Sequence, residues 1–229
     1  MRLLAQTGAI VRKDLLSELR SGEVLLSMLL FALLLVLVFS FAFMQGGAAS
    51  PEAGAGVVWV TLAFSGVLGI SRSFDREREA DGLRALLLSP ADRNAIYLAK
   101  VTGILLFMAV TAALVLPLVA LLFDLPLREG LGPLVLLLFL GTLGFSLLGA
   151  FFGALMASSR SSDLLFSITL FPLLFPVLIA GALGTSEIFT GEPGAERVRL
   201  FTSILVAFDA LVAVVALWSF ERMIVESGK

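Results

Sequence analysis

The chain contains no cysteine and no histidine among its 229 residues, and it has a single tyrosine, Tyr97. Without cysteine it can form neither disulfides nor thiolate metal or cluster sites. Without histidine it also lacks the commonest ligand of haem and zinc, which leaves methionine, Tyr97 and carboxylates as candidates. We therefore expect this chain to bind no metal, haem or other cofactor by itself.

A nucleotide-binding motif is also missing. No G-x-x-x-x-G-K-[ST] run occurs, and the only Gly-Lys pair is formed by Gly228 and Lys229. The acidic residues lie almost wholly in charged segments beside basic ones, which is not the arrangement of a triad or a paired-carboxylate active site. The chain is predicted not to be an enzyme. If it uses energy, that energy would enter through a partner subunit or an ion gradient.

What the chain has in abundance is long apolar runs. Hydrophobic residues make up 59% of it, above the roughly 45–50% of soluble proteins. About 20 helical residues cross a hydrocarbon core of about 30 Å. The longest run, 130–159, is interpreted as one span because no polar turn divides it. The sequence thus predicts an all-α integral membrane protein, a bundle of six transmembrane helices with approximate spans 24–44, 54–72, 98–123, 133–157, 164–185 and 200–220.

The basic residues predict the orientation of this bundle. Of the 16 lysines and arginines, only Arg128, Arg197 and Arg199 fall in segments on one side of the membrane. Because basic loops stay in the cytoplasm, both termini are predicted to be cytoplasmic. No cleavable signal peptide is apparent, so the first span would itself direct insertion into the membrane. Residues 1–229 are interpreted as a single transmembrane domain.

Residues 1–23 are predicted to form a cytoplasmic interfacial helix. Its apolar stripe would lie in the headgroup region or along the bundle, while its basic face would meet anionic lipid or a cytoplasmic subunit. The stripe consists of Leu4, Val11, Leu15, Leu16 and Leu19, and the opposing residues are Arg12, Lys13, Ser17 and Arg20.

The segment 73–97, between spans two and three, is the longest charged connection. Asp81 is a suitable N-cap for a short helix whose Leu83, Leu86 and Leu87 fall at i, i+3 and i+4 on one face. Ser89 has Pro90 directly after it and Asp92 three positions after it. This spacing predicts a capping box at the start of span three. A short helix with such caps could transmit the movement of a partner subunit to the bundle. A solvated loop, or a helix lying on the membrane surface, would have a similar sequence.

Asp209 lies near the middle of span six, where a charged side chain costs about 2.5 kcal/mol or more unless it is paired, hydrated or protonated. It is predicted to face the bundle or a cavity. One hypothesis is a contact for a proton or substrate. The favoured one is a hydrogen-bonded clasp between helices, with candidate partners Thr61, Thr111, Thr169 and Ser203.

Prolines and glycines mark two further features of the spans. Pro172 and Pro176 lie on one face of span five, where each removes a backbone hydrogen bond, so they are candidates for a hinge or for a static kink. In span four, Gly149 and Gly153 form a G-x-x-x-G pair near Gly141 and Gly144. Such small residues favour close helix contact, either between subunits or within one bundle.

Three sequence motifs resemble the haem exporter protein B (CcmB) family. The run E-A-D-G-L-R-A-L-L-L-S-P at 79–90 is similar to the family pattern E-D-G-x-L-x-x-L-L-x-S-P after its second span. The runs R-K-D-L-L-S-E-L-R-S-G-E at 12–23 and F-P-L-L-F-P-V-L-I-A-G at 171–181 resemble the opening and the fifth span of that family. One departure is Ala80, which stands where the family has an acidic residue next to Asp81.

The resemblance implies a fold and a set of partners. The fold would be that of an ABC-2-type permease, whose cytoplasmic loop docks on a separate ABC ATPase subunit. The coupling helix here would consist of Asp81, Gly82, Leu83, Leu86, Leu87, Ser89 and Pro90. The complex would support delivery of haem to a periplasmic haem chaperone, or ATP-driven release of the loaded chaperone, in cytochrome c biogenesis. Companion membrane subunits would handle the haem, a second copy of this chain would match a two-fold ATPase, membrane lipid would surround the bundle, and nucleic acid would not be a partner.

Two other functions remain open on the sequence. The chain could be an ABC-2-type exporter permease for a lipid, a glycan or a drug. It could instead be an ion-coupled secondary transporter that uses Asp209, although no internal repeat between its halves supports this.

Overall fold

The computed structural model describes residues 2–45, 50–79, 92–125, 130–158, 163–190 and 194–226. All regular structure within these ranges is α-helical. The helices are α1 Arg2–Ser21, α2 Glu23–Gln45, α3 Pro51–Glu79, α4 Arg93–Phe123, α5 Leu131–Ser158, α6 Asp163–Phe189 and α7 Ala195–Glu226.

Six of these helices, α2 to α7, are long and apolar enough to cross a membrane. The predicted integral membrane bundle of six helices is therefore confirmed. The long run at 130–159 forms one helix, α5, as expected from the lack of a polar turn. Helix α1 is not one of the six, because five of the nine residues from Arg12 to Arg20 are charged.

Helices α3 and α5 form the centre of the bundle. In the most apolar stretch of each, 72% of the residues are buried, compared with 17% in α7. Helix α3 packs against α2, α4, α5 and α6, and α5 packs against α3, α4, α6 and α7. Because lipid tails are as apolar as the helices, close packing and interhelical hydrogen bonds stabilise such a bundle. The groups that join α3 and α5 to their neighbours are consequently the ones that matter for its stability.

The connection between α1 and α2 is a single residue, Gly22. Its φ of +64° lies in the left-handed region that favours glycine. The Gly22 N–H donates to the Glu18 carbonyl at 2.6 Å, and the Leu26 N–H donates to the Gly22 carbonyl at 2.9 Å. The turn therefore satisfies backbone groups at the end of α1 and the start of α2, and it fixes the direction in which α1 leaves the bundle.

The start of α4 corrects one prediction. Asp92, not Ser89, is the N-cap: its backbone is extended, and its Oδ1 accepts a hydrogen bond from the Asn94 N–H at 2.9 Å. Asparagine, aspartate and serine are about equally good N-caps, so the sequence offered two candidates three residues apart. Ser89 and Pro90 lie outside the described residues.

Candidate functional site: the cytoplasmic base and the helix junctions

Helix α1 runs beside the first turns of α4 in the same direction. The Gln6 Oε1 accepts a hydrogen bond from the Asp92 N–H at 3.2 Å, and the Thr7 hydroxyl donates to the Ala95 carbonyl at 3.4 Å. One turn further along α4, the Lys100 Nζ lies 2.7 Å from the Asp14 Oδ2. We call α1 together with the first turns of α2 and α4 the cytoplasmic base.

The Asp14–Lys100 ion pair is the most buried charged contact of this base. The Lys100 side chain is only 7% exposed and that of Asp14 is 25% exposed, while Lys13 lies 2.8 Å from the other Asp14 oxygen. Burial raises the pKa of Asp14, but the ammonium groups of Lys100 and Lys13 outweigh this effect and hold that pKa below its usual value. The carboxylate is therefore ionised at neutral pH. Removing one partner of a buried pair would leave the other charge uncompensated, so we infer that the pair fixes the position of α1 on α4.

The base also includes the start of α2. The buried Glu18 accepts a hydrogen bond from the Leu25 N–H at 2.8 Å through its Oε1, which caps the first turn of α2. Arg72, near the end of the apolar part of α3, lies 3.8 Å from Glu23 in an exposed and therefore weak pair. Helix α1 is thus bonded to both α2 and α4.

The face that α1 turns toward the bundle is mixed and largely polar. Thr7, Ile10, Asp14 and Glu18 lie on that side, whereas Leu4 and Leu19 are 75% and 81% exposed. The two ends of the apolar stripe therefore do not pack along the bundle, whereas Val11 and Leu15 in its middle are half-buried. The physical reason is that Asp14 and Glu18 find ionic and backbone partners on α4 and α2, which distant parts of the sequence supply.

The predicted coupling residues, Asp81 to Pro90, lie outside the described residues. The structure describes the helices on both sides of them. Helix α3 extends to Glu79, and α4 begins at Arg93 against α1. The intervening segment is thus joined at one end to α3 and at the other to a helix of the cytoplasmic base.

Trp59 joins the three helices at the centre of the bundle. Its side chain is 1% exposed, and it extends from α3 between Gly141 of α5 and Gly181 of α6. A Cβ at either glycine would overlap the indole ring. The indole Nε1 donates to the Thr185 Oγ1 of α6 at 2.9 Å, which satisfies a polar group that lipid could not. The sequence reasoning missed this junction, although a tryptophan in the middle of a span was a usable signal.

The remaining glycines of α5 decide between the two readings of the G-x-x-x-G pair. Gly149 faces Ile70 of α3 and Gly153 faces Phe74 of the same helix, both in close contact. These glycines therefore serve packing within one bundle, and the alternative of a contact between subunits at this pair is wrong. A second interhelical bond supports the same region, because the buried Tyr97 hydroxyl of α4 donates to the Leu147 carbonyl of α5 at 2.9 Å.

Asp209 lies in α7 at its junction with α5 and α6, and only 6% of it is exposed. A Cβ at Gly144 would come within 2.7 Å of its Oδ1 and within 3.2 Å of Val177 Cγ2, so the carboxyl points into this junction. Within the described ranges, neither carboxyl oxygen has a hydrogen-bond partner. The favoured hypothesis, in which Asp209 forms a hydrogen-bonded clasp between helices, is therefore wrong. Two of its four candidate partners donate to their own helices instead: Thr111 to the Phe107 carbonyl and Ser203 to the Arg199 carbonyl.

Pro172 and Pro176 lie inside the continuous helix α6, and both side chains are exposed on the outside of the bundle. Their neighbours Leu173 and Phe175 are also exposed, whereas Val177 is buried. The two prolines remain hinge candidates, and they do not face the junction that contains Asp209. As for metals, the described part of the chain contains no cluster of three or more acidic residues that could hold an ion.

Comparison with known proteins gives matches over most of the chain. Residues 5–225 match the family described as CcmB protein. The chain is 33% identical to Heme exporter protein B of Pseudomonas aeruginosa over 149 residues, which cover 65% of this chain and 66% of that protein. It is 30% identical to Heme exporter protein B of Paracoccus denitrificans over 192 residues, covering 82% and 84%. It is 32% identical to Heme exporter protein B of Haemophilus influenzae over 171 residues, covering 74% and 76%.

Proposed function

Because the chain belongs to the CcmB family, we propose that it is the membrane permease subunit of an ABC-type complex in cytochrome c biogenesis. As a multi-pass inner-membrane protein of this family, it is a membrane component of the haem export and cytochrome c maturation system. The complex would support delivery of haem to a periplasmic haem chaperone, or the ATP-driven release of that chaperone once loaded.

The observation that carries this proposal is the family match over residues 5–225, nearly the whole chain. The cytoplasmic base supports the mechanical part of it. An ATPase that docks on Asp81 to Pro90 would push on a segment whose following helix, α4, is fastened to α1 by the Asp14–Lys100 pair. The movement would then pass into α2 through Glu18 and Leu25. Energy would come from the ATPase, and haem ligation would fall to companion subunits.

One observation favours a second candidate function. The carboxyl of Asp209 is buried without a described partner, and intramembrane carboxyls of this kind occur in proton relays and carriers. An ion-coupled transporter using Asp209 is therefore the alternative mechanism. An ABC-2-type permease with a lipid, glycan or drug as its cargo is the alternative within the proposed architecture.

The proposal is tested by deleting the gene for this chain in its own bacterium. We expect c-type cytochromes to lose their covalently attached haem. The measurement is haem-dependent peroxidase staining of cell proteins separated on a denaturing gel. Expression of the wild-type chain should restore them, and an unrelated inner-membrane protein should not. Normal c-type cytochromes in the deletion strain, together with a defect in exporting a lipid, glycan or drug, would contradict the proposed cargo.

A further inference from the structure

A groove outside the coupling region lies between the start of α5 and the first half of α7. Its volume is about 670 Å³. With the predicted orientation of the bundle, it opens in the outer half of the membrane, at the end opposite the cytoplasmic base. One wall is formed by Pro133 and Leu136 of α5, and the other by a face of α7 that runs from Val198 to Ala210.

The walls of this groove are mainly apolar. Most of the lining side chains are small or aliphatic. The two hydroxyls are already bonded to their own helix, Thr202 to the Val198 carbonyl and Ser203 to the Arg199 carbonyl, each at 2.8 Å. The groove is therefore suited to hydrocarbon. Because α7 is the least buried span, the groove is accessible from the lipid side.

Arg199 is the one charged residue that lines the groove. Its neighbour Arg197 forms an ion pair with Glu187, with 2.8 Å between the guanidinium and the Oε1. Arg199 is exposed and has no ionic partner in the described part of the chain. In the predicted topology only three basic residues fall on this side of the membrane, and Arg199 is the one that lines the groove.

The depth of the groove matches one leaflet of a bilayer. Ala210 lies eleven positions after Arg199, which at 1.5 Å per residue is a distance of about 16.5 Å along α7. Half of a hydrocarbon core of about 30 Å is about 15 Å. A guanidinium at the headgroup level and an apolar channel of one leaflet's depth below it together complement a phosphate and an acyl chain.

We propose that this groove holds one anionic phospholipid of the outer leaflet, with its phosphate on the Arg199 guanidinium and an acyl chain along Val206, Ala207 and Ala210. The lipid would fill the space between α5 and α7. The inference rests on the predicted orientation and not on the proposed cargo or ATPase. A companion membrane helix in the same groove is the competing occupant.

The test is native mass spectrometry of the detergent-purified chain with added phosphatidylglycerol. We expect a one-lipid adduct in the wild type. Arg199→Gln should weaken its binding about tenfold, because the charge-assisted hydrogen bond between the guanidinium and the phosphate is lost. Ala207→Phe, which fills the channel, should abolish the adduct. Arg197→Gln is the matched control, because it removes a paired charge near the same position and should leave binding unchanged.

Three results would overturn the proposal. One is equal phosphatidylglycerol binding by the wild type, Arg199→Gln and Ala207→Phe when all three melt at the same temperature. A second is a Ser203→Cys variant that cross-links to a companion membrane subunit in the intact complex, because a protein helix would then occupy the groove. Weaker binding by Arg197→Gln to the same extent as Arg199→Gln would show a general charge effect and would also exclude a specific site.

Discussion

Replacing Gly141 with leucine is expected to prevent the bundle from closing around Trp59. The indole lies against the α5 backbone at Gly141 and against the α6 backbone at Gly181, so it cannot move away from a new side chain without leaving its junction. Overpacking of a well-filled core costs about 1–3 kcal/mol and occasionally more. Because the glycine backbones confine the rigid indole ring on both sides, we expect the free energy of unfolding to fall by the upper end of that range or more. The hydrogen bond from Trp59 to Thr185 should also be lost.

The measurement is thermal unfolding of the purified chain in detergent, with size-exclusion chromatography as a check on aggregation. Gly103→Ala is the matched control. A Cβ at Gly103 meets nothing within 4 Å, and alanine favours helix more than glycine does, so that variant should melt at the wild-type temperature or above it. If Gly141→Leu melted with the control, Trp59 would not be the anchor that the structure indicates.

Replacing Asp209 with alanine is expected to stabilise the bundle. A buried polar group that is left without a hydrogen bond costs about 1–3 kcal/mol of stability, and within the described ranges neither carboxyl oxygen of Asp209 has a partner. Removing the carboxyl should therefore raise the free energy of unfolding by about 2 kcal/mol, after allowance for the small space left at the junction. Asp209→Asn should have a smaller effect, because the amide remains polar.

The Asp209→Asn variant also separates the two candidate functions. If ATP drives the complex, a cell that carries Asp209→Asn should still attach haem to c-type cytochromes, because an amide keeps the shape of the side chain. If an ion gradient drives transport through Asp209, the same variant should abolish function while the protein remains folded. A destabilised Asp209→Ala variant would contradict the stability argument and would indicate a partner for the carboxyl.

The sequence predicted the six helices well, for a simple physical reason. The thickness of the hydrocarbon core fixes the length of an apolar helix, and that length can be read from the run at 130–159 without knowing its neighbours. Periodicity likewise showed which residues of α1 share a face. It could not show which face meets the bundle, since that choice depends on Lys100 of α4 and on the Leu25 backbone of α2.

The candidate sites were less accessible to the sequence. Small residues in span four predicted close contact, but only the structure identifies Trp59, Ile70 and Phe74 of α3 as the side chains that fill the space. The prediction that Asp209 is buried is confirmed. The hydrogen bond expected for it was wrong, because its carboxyl points to Gly144, which has no side chain that could donate one. The coupling helix of Asp81 to Pro90 stays a prediction.

That helix carries the central claim, and co-purification of the detergent-solubilised chain with cytoplasmic ATPase subunits tests it most directly. The variants to compare with wild type are Leu86→Asp plus Leu87→Asp, and a control with two aspartates on the other side of the predicted helix, Ala85→Asp plus Leu88→Asp. We predict that the wild type and the control retain the ATPase and its activity, while the Leu86 and Leu87 variant loses both and keeps the thermal stability of its membrane bundle. An ATPase bound equally to all three proteins would contradict the coupling assignment, and a wild-type chain that retains no ATPase would contradict the account as a whole.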